Sequence, residues 1–269
     1  MGQNVEMTAI VLNVMPVGEN DKRITLLTRE QGKVTAFAKG ARRPNSPLLA
    51  ATNPFSFGVF EMYEGRNSYT VIKASISNYF RELSADYLAA CYGFYFLEMA
   101  DYYCQENNDE REMLRLLYQS LRALTKETLD NRLVRVCFEL KAMAVNGEAP
   151  NVFACVGCGR KDALYAFAAR RGGMLCAECA KAEPDAKNNL EDSVIYTMQY
   201  IISAAIEKLY TFAVSPSVLA ALKKILREYR MIYHPHPFQS LKILEEMERE
   251  SLESGVDCGT GTEIQGKNM

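Results

Sequence analysis

The chain has 269 residues and a mass of 30.3 kDa, more than one typical domain and fewer than three. Hydrophobic residues make up 48% and charged residues 24%, a balance that excludes wholesale disorder, and a net charge of −2 gives no bulk electrostatic reason to expect a nucleic-acid partner. A chain of this size buries roughly 70–75% of its unfolded surface, so a disulfide framework is not needed to explain its eight cysteines.

The first residues lack a basic stretch leading into a long apolar run, and Glu6 stands where a myristoylation site wants Ser or Thr. The apolar stretch Tyr87–Tyr103 is interrupted by Glu98 and Asp101, so no membrane association is expected. A reducing, cytoplasmic setting follows as the expectation, and there cysteine pairs point to metal or chemistry before disulfides.

Five short runs rich in β-branched and aromatic residues come first: Glu6–Val14, Arg23–Arg29, Lys33–Lys39, Phe55–Tyr63 and Tyr69–Ser77. Turn residues separate them, among them Gly18-Glu19-Asn20-Asp21, Gln31-Gly32 and Gly65-Arg66-Asn67. In the third run Lys33, Thr35, Phe37 and Lys39 share one face while Val34, Ala36 and Ala38 share the other. Five antiparallel strands in so short a stretch suit a small closed barrel, and five is the strand count of the OB-fold.

From about Phe80 the apolar period becomes helical. Ser84 is the expected cap of an aromatic-rich helix running to Cys104; Leu114, Leu117, Leu121 and Leu124 mark a second, and Leu133, Val136, Leu140 and Met143 a third, stopped by Gly147 and Pro150. Further helices are expected over Asp192–Phe212, from Ser215-Pro216 to Tyr233, and over Ser240–Glu250. The fold class expected is α+β: a barrel over residues 1–80, a helical domain over 81–150 and 185–250, an insertion over 151–184, and a disordered tail over 251–269.

The insertion carries the most specific motif. Cys155-Val-Gly-Cys158 is followed after seventeen residues by Cys176-Ala-Glu-Cys179, the spacing of a four-cysteine zinc site. Each CxxC turn aims two thiolates at one ion, and a hairpin of Leu164–Phe167 and Met174–Cys176, turning at Gly172-Gly173, brings the pairs together. Four thiolates close a tetrahedral shell, so one structural Zn2+ is expected; a redox dithiol or catalytic zinc is the competing use. A zinc deaminase needs His-x-Glu beside its CxxC, and the only histidines are His234 and His236. These two read as a helix end rather than as ligands. Cys91, Cys104 and Cys137 fall in apolar helical patterns as buried thiols, and Cys258 falls in the tail. No phosphate-binding glycine loop or nucleophile elbow occurs, so nothing supports catalysis.

Charge is segregated. Over residues 1–80 nine basic residues (Lys22, Arg23, Arg29, Lys33, Lys39, Arg42, Arg43, Arg66, Lys73) oppose six acids, a net +3, which leaves −5 on the remainder. Phe37 lies between Lys33 and Lys39, and Lys39-Gly-Ala-Arg42-Arg43 follows as a basic loop. A cationic groove with an aromatic platform suits a single strand, whose backbone follows the charge while a base stacks on the ring. Barrel core is the competing reading for Phe37, and a merely solvated surface the competing reading for the cluster. Lys22, Arg23, Lys33, Phe37, Lys39, Arg42, Arg43, Arg66 and Lys73 are the candidate DNA-binding set.

At this point the chain resembles the RecO family of DNA repair proteins. The resemblance rests on Ala9-Ile-Val-Leu-Asn-Val, Glu19-Asn-Asp-Lys-Arg-Ile-Thr-Leu-Leu-Thr, Gly32-Lys-Val-Thr-Ala-Phe-Ala-Lys-Gly-Ala-Arg-Arg-Pro, Leu83-Ser-Ala-Asp-Tyr, the four cysteines with Gly172-Gly173, Leu226-Arg-Glu-Tyr and Leu241-Lys. It implies an OB-fold that binds single- and double-stranded DNA and anneals complementary strands. It also implies a mediator that helps load recombinase onto strands coated by single-strand-binding protein, with RecR and sometimes RecF as partners, at the nucleoid. The modest +3 of the barrel implies salt-sensitive binding. An interaction scaffold binding mainly proteins is the alternative.

Overall fold

The computed structural model describes residues 2–66, 68–184, 186 and 189–253. Five strands, β1 (Asn4–Val17), β2 (Asp21–Thr28), β3 (Gly32–Ala38), β4 (Phe57–Glu64) and β5 (Tyr69–Asn78), close into a barrel in the order β1-β2-β3-β5-β4. All neighbours are antiparallel except β3 and β5, which meet in parallel at Ala36–Tyr69 and Phe37–Thr70. The five expected runs all form strands. β1 extends beyond the expected run at both ends and carries an irregularity between Val11 and Asn13, which lets one strand pair with both β2 and β4 as the sheet closes.

The alternation of the sequence fixes what the barrel contains. Met7, Ala9 and Val11 of β1, Ile24 and Leu26 of β2, Val34, Ala36 and Ala38 of β3, Phe60 and Met62 of β4 and Val71 of β5 fill the interior. The opposite parity is used too. Ile10, Leu12 and Leu27 are buried in a second core with the helices, so part of the outer wall is covered. Between β3 and β4 lies a one-turn helix that the sequence pattern does not signal, α1 (Leu48–Ala51).

The helical region begins with α2 (Arg81–Ala85), α3 (Tyr87–Tyr103), α4 (Arg111–Leu124) and α5 (Asn131–Val145). After the zinc-motif segment, which holds the single turn α6 (Ala177–Ala180), it resumes with α7 (Asp192–Ser203), α8 (Pro216–Tyr233) and α9 (Gln239–Glu253). The cap of α3 is Asp86, whose carboxylate accepts from the Ala89 N–H, and not Ser84, which lies inside α2. α3 is central: Tyr92, Tyr95, Phe96, Leu97, Met99 and Ala100 are buried around its circumference, which explains its aromatic density. α7 stops at Ser203, short of the expected Phe212. The Lys141 ammonium donates to the carbonyls of Ile202 and Ala204, satisfying the helix end from another element, and the chain re-forms only a one-turn 3-10 helix at Ile206–Lys208. α9 runs to Glu253, past the expected Glu250, and the expected disordered segment and Cys258 beyond it lie outside the described residues.

The zinc-motif segment forms the expected hairpin, β6 (Leu164–Ala168) with β7 (Gly173–Cys176), and α6 follows it directly. Its two faces divide. Ala166, Ala168 and Leu175 pack with the cysteines, while Phe167 and Met174 are buried in the helical core. The barrel meets the helices at the β2–β3 hairpin. There Gly32, at φ +64, lies so close to the carbonyls of Gln105 and Asn108 that a Cβ would stand 2.6 Å from both oxygens. Among the described residues no helix is long and apolar enough to cross a membrane.

Candidate nucleic-acid interface and metal centre

On β2 and β3 the helices cover the outer face near Leu27 and Lys33 and leave open the part nearer the β1–β2 turn. The pairing places Arg23 opposite Phe37, and Thr25 opposite Thr35, as a floor one strand pair wide. Met15 of β1 and Thr70 of β5 continue the Arg23–Phe37 row on either side, and the Arg23 guanidinium lies 2.9 Å from Met15 Sδ. Phe37 is half-buried on this outward face, while its neighbours Ala36 and Ala38 point into the core.

At one end of the floor stands the basic loop. Lys39, Arg42 and Arg43 are exposed. The loop is braced against the β1–β2 turn: the Gly40 N–H donates to Asp21 Oδ1 at 2.7 Å, the Arg42 N–H to the Asn20 carbonyl at 2.8 Å, and Arg42 Nη1 to the Gly18 carbonyl at 3.2 Å. Among the described residues no carboxylate pairs with Arg23, Lys39, Arg42 or Arg43. Because β5 runs parallel to β3, the β4–β5 turn carrying Arg66 lies toward the opposite, Gly32 end. Arg66 therefore stands across the floor from the loop, exposed.

Three members of the nine-residue set are engaged elsewhere. Lys22 is only 8% exposed, and its ammonium donates to Leu49 O, Thr52 Oγ1 and Asn53 Oδ1. Its sequence carried the signal, since Lys22 has the parity of the inward-facing Ile24 and Leu26. Lys33 turns to the helical region, where it pairs with Asp101 at 3.1 Å and donates to the Asp101 carbonyl. Lys73, exposed on β5, faces Glu61 at 3.4 Å. The structure thus gathers Arg23, Phe37, Lys39, Arg42 and Arg43, with Arg66 opposite. Asp21, which holds the basic loop, was missed because an acid in a cationic region carries no sign of being a brace.

The four cysteines converge. Their Sγ atoms all lie within 4.8 Å of one another, and Cys158 and Cys176 are 3.8 Å apart. Thiolates about 2.3 Å from one tetrahedral ion stand about 3.8 Å from each other, so the donor set matches the size of such an ion. Each pair is shaped by its own local structure. In the first, the Cys155 N–H donates to the Arg160 carbonyl and the Gly159 N–H to the Cys155 carbonyl, and a Cβ on Gly157 would stand 2.9 Å from Cys179 Sγ. In the second, Cys176 ends β7 and immediately precedes α6, and its N–H donates to Cys155 Sγ at 3.3 Å. Burial disfavours the Cys155 thiolate, but the N–H groups of Cys176, Cys158 and Gly157 outweigh it and bring the thiol down to about 6. Cys155 and Cys176 are buried, Cys179 is half-buried, and Cys158 forms the exposed edge. Cys91, Cys104 and Cys137 are buried apart from this cluster, and burial pushes all three thiols up.

A closed five-stranded OB-like barrel with a free cationic face, joined to a helical region holding a four-cysteine cluster, defines a two-part binding protein. Residues 1–80 match the family described as Recombination protein O N terminal, and residues 84–242 match Recombination protein O C terminal. The chain belongs to the RecO family of DNA repair proteins. It is similar to the DNA repair protein RecO of Alkaliphilus metalliredigens, 29% identical over 246 residues covering 90% of this chain and 99% of that protein. The RecO of Acetivibrio thermocellus is 30% identical over 84% of this chain and 90% of its own length. That of Exiguobacterium sibiricum is 30% identical over 88% of this chain and 95% of its own.

Proposed function

We propose that this chain is a non-catalytic recombination mediator whose barrel binds single- and double-stranded DNA across the β2–β3 face. The observation that carries this reading is the floor of Arg23, Thr25, Thr35 and Phe37, with the uncompensated Lys39, Arg42 and Arg43 on one bank and Arg66 on the other. Guanidinium and ammonium groups track phosphates while the Phe37 ring stacks a base, which leaves base edges free to pair with a second strand and so favours annealing. The family supports a cytoplasmic, nucleoid-associated role in which the protein helps load recombinase onto strands coated by single-strand-binding protein, with RecR and, in some members, RecF as partners. The four thiolates would hold one structural Zn2+; a shell they fill leaves no position for water or substrate, so the ion serves folding.

The test is charge reversal of Arg42 and Arg43 to Glu. Affinity for a single-stranded oligonucleotide is expected to drop about 100-fold near 0.1 M salt, with the log–log salt dependence shallower by about 1.4. Unchanged affinity and slope would remove this face from consideration.

A further inference from the structure

We propose that Lys22 is a positioning residue of the groove: a buried ammonium without a counter-ion that anchors the α1 segment following the basic loop and holds a fixed positive charge beside that loop, on the strand position paired with Ala38. This inference rests on the barrel face being the DNA site. The chain between β3 and β4 is a long excursion whose first part carries Lys39, Arg42 and Arg43 and whose second part contains α1. Asp21 and Lys22, adjacent in β2, hold the two parts separately. The Asp21 carboxylate accepts from the Gly40 N–H at 2.7 Å; the Lys22 ammonium donates to Leu49 O at 3.0 Å, Thr52 Oγ1 at 3.1 Å and Asn53 Oδ1 at 2.8 Å. Each element is thereby fixed relative to the Arg23–Phe37 floor.

All three acceptors of Lys22 are neutral, and among the described residues no carboxylate pairs with it. The Arg42 guanidinium adds to burial in disfavouring the protonated form of Lys22. An isolated buried charge is costly, and a methionine would fill the same space without that cost. The arrangement makes sense when a phosphate passes over Arg42 and supplies the missing negative charge. A lysine in that position acts on the ligand through the field and through the α1 segment it anchors, without touching it.

The experiment compares full-length Lys22→Met and Arg42→Ala for affinity to an oligothymidylate across a salt series, well below the thermal midpoint of each protein. Lys22→Met is expected to lose about tenfold in affinity with its salt slope unchanged, since no phosphate contact is removed. Arg42→Ala is expected to lower the slope by about 0.7. Asn53→Ala, an exposed change that takes away only the shortest of the three bonds, is expected to lose about threefold with slope unchanged and to speed amide exchange at Leu49–Asn53. A slope that falls in Lys22→Met as it does in Arg42→Ala would make Lys22 a direct phosphate contact and overturn the proposal. Unchanged affinity in folded Lys22→Met would reduce it to a core residue and overturn it equally. Should Lys22→Met not fold, unchanged affinity of Asn53→Ala decides against the proposal. The DNA-site reading fails by a separate result, an Arg42→Glu/Arg43→Glu protein that binds as the parent does.

Discussion

The barrel and the helical region use charged residues in opposite ways. On the barrel, Arg23, Lys39, Arg42 and Arg43 stand at the surface with no carboxylate partner among the described residues. In the helical region the charges turn inward and neutralise each other. Glu139 of α5 accepts from Arg135 at 2.8 Å, from Tyr95 at 2.9 Å and from Arg230 at 3.1 Å, all buried. Glu248 of α9 accepts from Lys223 at 2.9 Å and from Tyr92, and Arg135 reaches Glu245 as well. Four helices (α3, α5, α8 and α9) are tied by this network. A buried charge cluster that is fully paired specifies how helices meet, whereas an exposed unpaired one is available to a ligand. Net charge alone does not separate these uses; the pairing does.

That contrast can be broken most severely at the metal centre. Cys155→Ser is expected to take bound zinc from one per chain to none by elemental analysis. Without the ion the helical region is expected to lose on the order of 5 kcal/mol, because Phe167 and Met174 of the same hairpin are part of its core. DNA affinity should stay within about twofold if the two regions act independently. A collapse of DNA binding would show that they do not.

Acid tests the paired cluster next. Burial raises the Glu139 and Glu248 carboxyls, but the Arg135 and Arg230 guanidinia for the first, and hydrogen bonds from Tyr92 and Lys223 for the second, hold both below the ordinary 4.5. A group depressed in the folded state contributes stability that is fully present above its unfolded value and drains as pH falls through the folded one. His234, pushed below 6.5 mainly by burial, follows the same sign because it folds uncharged. The thermal midpoint is therefore expected to decline gently below 6.5 and steeply below 4.5, and Glu248→Gln should flatten the steep part. A midpoint that rises on acidification would contradict the assigned pairing.

The smallest effect sharpens the barrel side. Phe37→Ala is expected to weaken single-strand binding by about tenfold, one lost base stack, while duplex affinity, carried by phosphate contacts, changes little. Equal losses on both substrates would place Phe37 outside the stacking role and return it to packing.

How much of this was legible depended on whether the determining partner was local. The Val34–Ala36–Ala38 parity, the CxxC spacing and Ser215-Pro216 each act through near neighbours, and each reads correctly from the chain. The Ser215 hydroxyl does accept from the Val218 N–H. The end of α7 is set by Lys141, distant in sequence, so the helical period ran on past it. Lys22 and Lys33 counted as surface cations because charge suggests solvent. One is held by Asn53 and its neighbours, the other by Asp101, and a charge census does not reveal partners.

The parallel contact between β3 and β5 has a consequence for how the barrel forms. Only Ala36–Tyr69 and Phe37–Thr70 join those strands, while every other seam is a long antiparallel ladder. The β1–β4 ladder joins residues farther apart in sequence but over a long run of pairs, so the β3–β5 seam offsets its loop-closure entropy with the fewest bonds. It is the shortest ladder of the barrel. Since Phe37 sits on it, the floor gains its Thr70 side only in the closed barrel, and a strand laid over Arg23, Phe37 and Thr70 would act as a clasp across the joint.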